Sequence, residues 1–61
     1  MDLKKYLKDE AKTTPGAWAK KFGYNPASVW AWATGRRMPN LANLRKLMKD
    51  TNGMVGPGDF A

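Results

Sequence analysis

A chain of 61 residues without cysteine or histidine is one small domain, with disulfides and thiolate metal sites excluded and the usual general base missing. Its net charge of +6 is concentrated: residues 12–49 carry eight cations (Lys12, Lys20, Lys21, Arg36, Arg37, Arg45, Lys46 and Lys49) and no acid. Such a block points to a polyanionic partner, against the blander reading of a basic surface that only aids solubility.

Asp2 is a good N-cap, and Leu3, Tyr6, Leu7 and Ala11 recur after it at helical spacing, predicting a first helix of two to three turns. Lys4, Lys5 and Lys8 stand there against Asp2, Asp9 and Glu10, so these charges cancel and read as plain surface. A second helix starts at Thr14-Pro15, where the proline fits the first helical position because that N–H would be unpaired anyway. Trp18, Ala19 and Phe22 supply its inward face, and Gly23 ends it in the left-handed conformation. Lys20 and Lys21 read equally well as a solvated face or as partner contacts.

Asn25-Pro26 repeats the same device, predicting a third helix to about Thr34 that Gly35 closes. At 100° per residue Val29 and Trp32 share one face, flanked by Ala33, while Ala27, Trp30, Ala31 and Thr34 lie opposite. Trp32 is therefore expected in the core and Trp30 outside it. After the linker Arg36-Arg37-Met38-Pro39, Asn40 caps a fourth helix with the apolar stripe Leu41, Leu44, Leu47 and Met48, ended by Gly53. Residues 54–61 hold two glycines and a proline and are expected to be a non-helical tail, irregular or extended. Met54, Val55 and Phe60 could pack on the core or on a dimer partner. No segment alternates with period two, so the fold class expected is all-α: a compact four-helix, helix-turn-helix domain over residues 1–53 with a short C-terminal tail.

No apolar run approaches a membrane span, and the N-terminus lacks the apolar centre of a secretory signal, so the cytoplasm is the expected compartment. Five scattered acids and no histidine allow no triad, metal cluster or carboxylate pair. The glycines form no phosphate-loop or dinucleotide pattern. The chain is expected to be no enzyme, with no cofactor, metal, small-molecule substrate or membrane partner. A cationic, tryptophan-rich membrane peptide is disfavoured because the caps divide the chain into short helices with separate inward stripes.

Residues 15–34 make two short helices joined by Phe22-Gly23-Tyr24-Asn25, and a projecting helix beside a basic linker suits the major groove of DNA. PGAWAKKFGYNPASVWAWATG resembles the helix-turn-helix of small phage Cro-type repressors. MDLKKYL, WATGRRMP and TNGMVGPGDF are similar in order and spacing to the YdaS-type antitoxin and Cro-like group, so the resemblance covers nearly the whole chain. It implies a sequence-specific regulator of the repressor type that binds double-stranded DNA, usually as a homodimer on a pseudo-palindromic operator. Ala19, Gly23, Val29 and Trp32 stand at the packing positions of the family pattern.

On that reading, Asn25, Ala27, Ser28, Trp30, Ala31 and Thr34 are expected to face base edges. Trp30 and Ala31 stand where the family commonly has polar readers, so thymine methyls and DNA shape would carry much of the recognition. The alternative for Trp30 is to cover the tail or a partner subunit. Phosphate contacts are expected from Thr14, Gly16 and Ala17 at the start of the second helix, from Arg36 and Arg37, and from Asn40. Tyr24 could reach a phosphate or pack across the turn. The alternative function implied by the resemblance is an antitoxin that binds a partner toxin and autoregulates its operon. The few residues after Gly53 favour the plain repressor.

Overall fold

A computed structural model of the chain describes residues 1–60. It is all-α, with α1 (Leu3–Lys5) running on into a π-helical turn (Tyr6–Glu10), then α2 (Pro15–Phe22), α3 (Pro26–Ala33), α4 (Leu41–Asp50) and a 3₁₀ turn (Pro57–Asp59). The described residues contain no strand. Every predicted start is a working cap. The side chain of Asp2 accepts from the Lys5 N–H, Thr14 from Ala17, Asn25 from Ala27 and Ser28, and Asn40 from Asn43. Each satisfies a donor that the first turn would otherwise leave open, for about 1 kcal/mol. Gly23 and Gly35 end α2 and α3 with φ of 81° and 78°. Beyond them the Tyr24 N–H donates to Ala19 O and the Arg36 N–H to Ala31 O, the bonds that fold a chain back over a helix end.

Three local features depart from expectation. The first helix widens after one turn, where the Ala11 N–H reaches Tyr6 O five residues back. Lys12, at φ 51°, then swings the chain towards α2. Asn52, at φ 54°, takes the first left-handed position after α4 that the sequence assigns to Gly53; asparagine tolerates it because its short polar side chain can bond locally. The tail is not wholly irregular, since Pro57–Asp59 forms a 3₁₀ turn in which Asp59 accepts from the Gly56 N–H.

The core gathers Leu3 and Leu7, Trp18 and Ala19 from α2, Tyr24 from the turn, Val29 and Trp32 from α3, Leu47 from α4 and Val55 from the tail. Trp18 is its centre. Its ring stacks on Tyr24 at 5.0 Å, lies 4.9 Å from Phe22 and meets the edge of Tyr6 at 6.4 Å, while Tyr24 in turn meets Trp32 edge-on at 6.0 Å. The expected stripe of α4 is only partly internal. Leu47 is buried and Leu44 half-buried, but Leu41 is 62% exposed and Met48 also faces solvent. The helix meets the core with its C-terminal half, so its first turn overhangs. Of the two places the sequence leaves open for Val55 and Phe60, core or dimer partner, the structure has the first: Val55 is fully buried in its own domain and Phe60 packs against that core.

Thr51 joins the tail to α4. Its buried hydroxyl donates to Leu47 O at 2.7 Å and accepts from the Val55 N–H at 3.2 Å. Thr51→Val keeps the shape and leaves that N–H unpaired in the core, so urea unfolding is expected to show a loss of about 1–3 kcal/mol. Thr51→Ser, which keeps the hydroxyl, is expected to lose less.

A second tie fastens α4 to the α2–α3 turn. The Tyr24 hydroxyl donates to Asp50 at 2.7 Å, and Lys46 donates both to Asp50 at 2.9 Å and to Phe22 O at the end of α2. The Lys46 ammonium also lies 3.9 Å from the centre of the Tyr24 ring. Partial burial pushes the Asp50 carboxyl up, but the bonds from Tyr24 and Lys46 and the charges of Lys46 and Lys49 outweigh it and hold the group below its usual range. Burial first, then the bond to Asp50 and its charge, pushes the Tyr24 phenol well above its ordinary range. Asp59 is also held low, by the Gly56 N–H and then by the chain's amino terminus. A depressed carboxyl contributes stability above its unfolded value, near 4, and loses it as pH falls through the folded value. Thermal melts are therefore expected to fall as pH drops below about 4. Asp50→Asn is expected to flatten that fall, leaving the Asp59 part.

Candidate nucleic-acid interface

The exposed side of α3 carries the residues expected to read bases. Asn25, Ala27, Ser28, Ala31, Arg36 and Arg37 line one open depression, and Ala27, Trp30, Ala31, Thr34 and Arg36 line its neighbour. The two share Ala27, Ala31 and Arg36, so all six predicted base-facing residues fall on one continuous surface edged by both arginines. The reason is helical geometry: Val29 and Trp32 are held in the core, and a rigid 100° step per residue turns the others outward.

Their chemistry is narrower than residue types alone imply. The Asn25 side-chain oxygen is occupied by the N–H groups of Ala27 and Ser28, so only its amide hydrogens remain for a ligand. A bidentate pair with adenine, which needs both ends of the amide, is closed to it. The Thr34 hydroxyl donates to Trp30 O at 2.9 Å and can only accept from outside. Ala27 and Ala31 offer methyl groups. Trp30 is 49% exposed and does not turn to the tail; its indole lies over the start of α2, with Nε1 3.6 Å from where a methyl on Gly16 would sit. The surface thus presents amide donors, one hydroxyl acceptor at Thr34 and apolar groups, without any acid.

The three helix starts after the first helix differ in what they leave open. At α3, Pro26 has no N–H, Asn25 takes the next two, and the Val29 N–H goes to Asn25 O, so no donor is free. At α2, the Ala17 and Trp18 N–H groups go to Thr14, Pro15 has none, and the Gly16 N–H remains. At α4, Asn40 takes the N–H groups of Asn43 and Leu44, leaving those of Leu41 and Ala42. Thr14, Gly16, Ala17 and Asn40 are thus grouped around helix starts that can each still receive an anion.

Arg36 and Arg37 follow α3 directly, are exposed, and form no ion pair among the described residues. Both backbone N–H groups go to Ala31 O, which holds the two residues against the end of the helix. Tyr24 requires a correction: it is buried, and its hydroxyl is committed to Asp50, so it has nothing to offer a phosphate. Lys46, counted in the basic block, is likewise taken up by Asp50 and Phe22. Sequence reasoning did not find that tie, although Lys46 and Asp50 stand four residues apart on one helix face, the spacing of a helical ion pair. Comparison with family models, with curated proteins and with solved structures finds no match for the chain.

Proposed function

We propose that the chain is a sequence-specific double-stranded DNA-binding regulator of the repressor type, with the exposed side of α3 in the major groove. One observation carries the reading: a short helix presents a continuous, acid-free surface bordered by two arginines that form no ion pair among the described residues, with an open N–H at the start of α2 under Trp30. An α-helix fits the major groove, and cations and free amides hold the phosphates on either side. Thymine methyls against Ala27, Ala31 and Trp30, and base acceptors opposite Asn25 and Ser28, supply the sequence preference.

The chain acts as a binding protein, not an enzyme, in the compartment that holds DNA. Among the described residues no helix is long and apolar enough to cross a membrane. It binds as a homodimer on a pseudo-palindromic operator, with half-sites about 34 Å apart, one turn of the duplex. With Val55 internal, the exposed apolar groups of the fourth helix and the tail, Leu41, Met48 and Met54, are left for the subunit contact.

Selection of bound duplexes from a random pool tests the reading. It is expected to return a symmetric, thymine-rich site, and failure to enrich any sequence would reject it. Trp30→Ala is expected to weaken the selected site by about 1–3 kcal/mol, the usual worth of one base-pair position. Binding to unrelated duplex should change little, as a mobility-shift assay would show.

A further inference from the structure

Lys4 and Lys8 cancel against nearby acids when the sequence is summed, but the folded chain does not pair them. The ion pairs among the described residues are Lys46 with Asp50 and the amino terminus with Asp59; neither lysine takes part. The Asp2 carboxylate is instead engaged in capping, accepting from the Lys5 N–H. Lys4 and Lys8 are exposed, and they border a depression of about 220 Å³ that no acid lines.

The same depression is lined by Trp30, Ala33 and Thr34 of the α3 segment, by Leu7, and by Thr13, Thr14 and Pro15 at the start of α2. Trp30 therefore borders both this depression and the α3 surface assigned to the groove. An apolar hollow with cations one helical turn apart on one rim matches a strand of nucleic-acid backbone, which alternates an apolar sugar with charged phosphates. Lys4 in α1 and Lys8 in the π-helical turn stand about one helical turn apart, a separation of the order of the step between successive phosphates.

We infer that Lys4 and Lys8 grip two successive phosphates of one DNA strand, with the intervening deoxyribose over the hollow between Leu7 and Trp30. This rests on the DNA-binding reading above and extends the interface from α2, α3 and the arginine linker to the first helix. It adds contacts that no count of neighbouring charges would reveal.

The experiment is fluorescence titration of the full chain with a 20-base-pair duplex at several salt concentrations. Each phosphate contact contributes about 0.9 to the slope of log affinity against log salt, so Lys4→Ala with Lys8→Ala is expected to reduce the slope by about 1.8. Lys4→Arg with Lys8→Arg is expected to keep it. Lys5→Ala with Lys49→Ala removes the same charge outside the hollow and is the control. A slope for the Lys4/Lys8 alanine pair no different from this control overturns the inference. If Arg36→Ala with Arg37→Ala still lowers the slope, that failure belongs to the first helix alone. If the unaltered chain shows no salt-dependent binding to the duplex, both the inference and the reading beneath it are overturned.

Discussion

Trp18→Ala is expected to leave the chain unfolded at room temperature. A buried tryptophan cut to alanine typically costs about 3–5 kcal/mol. A domain of this length has only roughly 3–9 kcal/mol in total. Trp18 also touches Tyr6, Phe22 and Tyr24, so its loss opens contacts to the first helix, to α2 and to the turn together. Circular dichroism is the check: a cooperative melt in the parent chain and a flat, low-helicity trace in the variant. Trp18→Phe, which keeps a ring in the site, is expected to remain folded with a lower melting temperature. A folded Trp18→Ala variant would mean that the aromatic cluster is not what holds the helices together.

The second large effect is expected at the linker. Arg36→Ala with Arg37→Ala removes two exposed cations that form no ion pair among the described residues, and leaves the core untouched. If four to six phosphates are neutralised in the complex, the parent chain should show a log–log salt slope of roughly −4 to −5, and the double variant a slope smaller by about 2. Affinity should fall at least tenfold at moderate salt, or about 1.4 kcal/mol. The melting temperature should barely move, because exposed cations at a helix end contribute only about 0.3–1 kcal/mol each. Unchanged slope with unchanged melting would remove the arginines from the interface.

What was legible in the sequence was local. Asp2, Thr14, Asn25 and Asn40 cap because a side-chain oxygen needs only to reach an N–H two or three residues on. Gly23 and Gly35 end their helices because the left-handed turn costs glycine least. The division of α3 into Val29 and Trp32 inside and Trp30 outside follows from helical period alone. The contacts that escaped are made across the chain. Tyr24 and Asp50 are 26 residues apart, Lys46 and Phe22 are 24 apart, and neither pairing leaves a periodic trace. Leu41 has the right spacing for the α4 stripe and is exposed all the same, because spacing tells which residues share a face and not how far along the helix the core extends.

The candidate site divides the same way. The outward side of α3 was readable, and so was packing of Tyr24 across the turn as one alternative, whereas the occupied oxygen of Asn25, the bond of Tyr24 to Asp50 and the lysines of the first helix left without an acid among the described residues were not. Each depends on where a neighbouring group is already bonded. Counting charges along the chain balanced Lys4 and Lys8 against acids that the fold does not bring to them.

The most direct measurement is a map of backbone amide shifts on titration with the selected duplex. The account expects the changes at Gly16 and Ala17, at Ala27, Ser28 and Ala31, at Arg36 and Arg37, and at Leu41 and Ala42. Leu47, Thr51 and Val55, on the far side of the core, should stay still. Shifts gathered around Met48 and Met54 with α3 silent would contradict it.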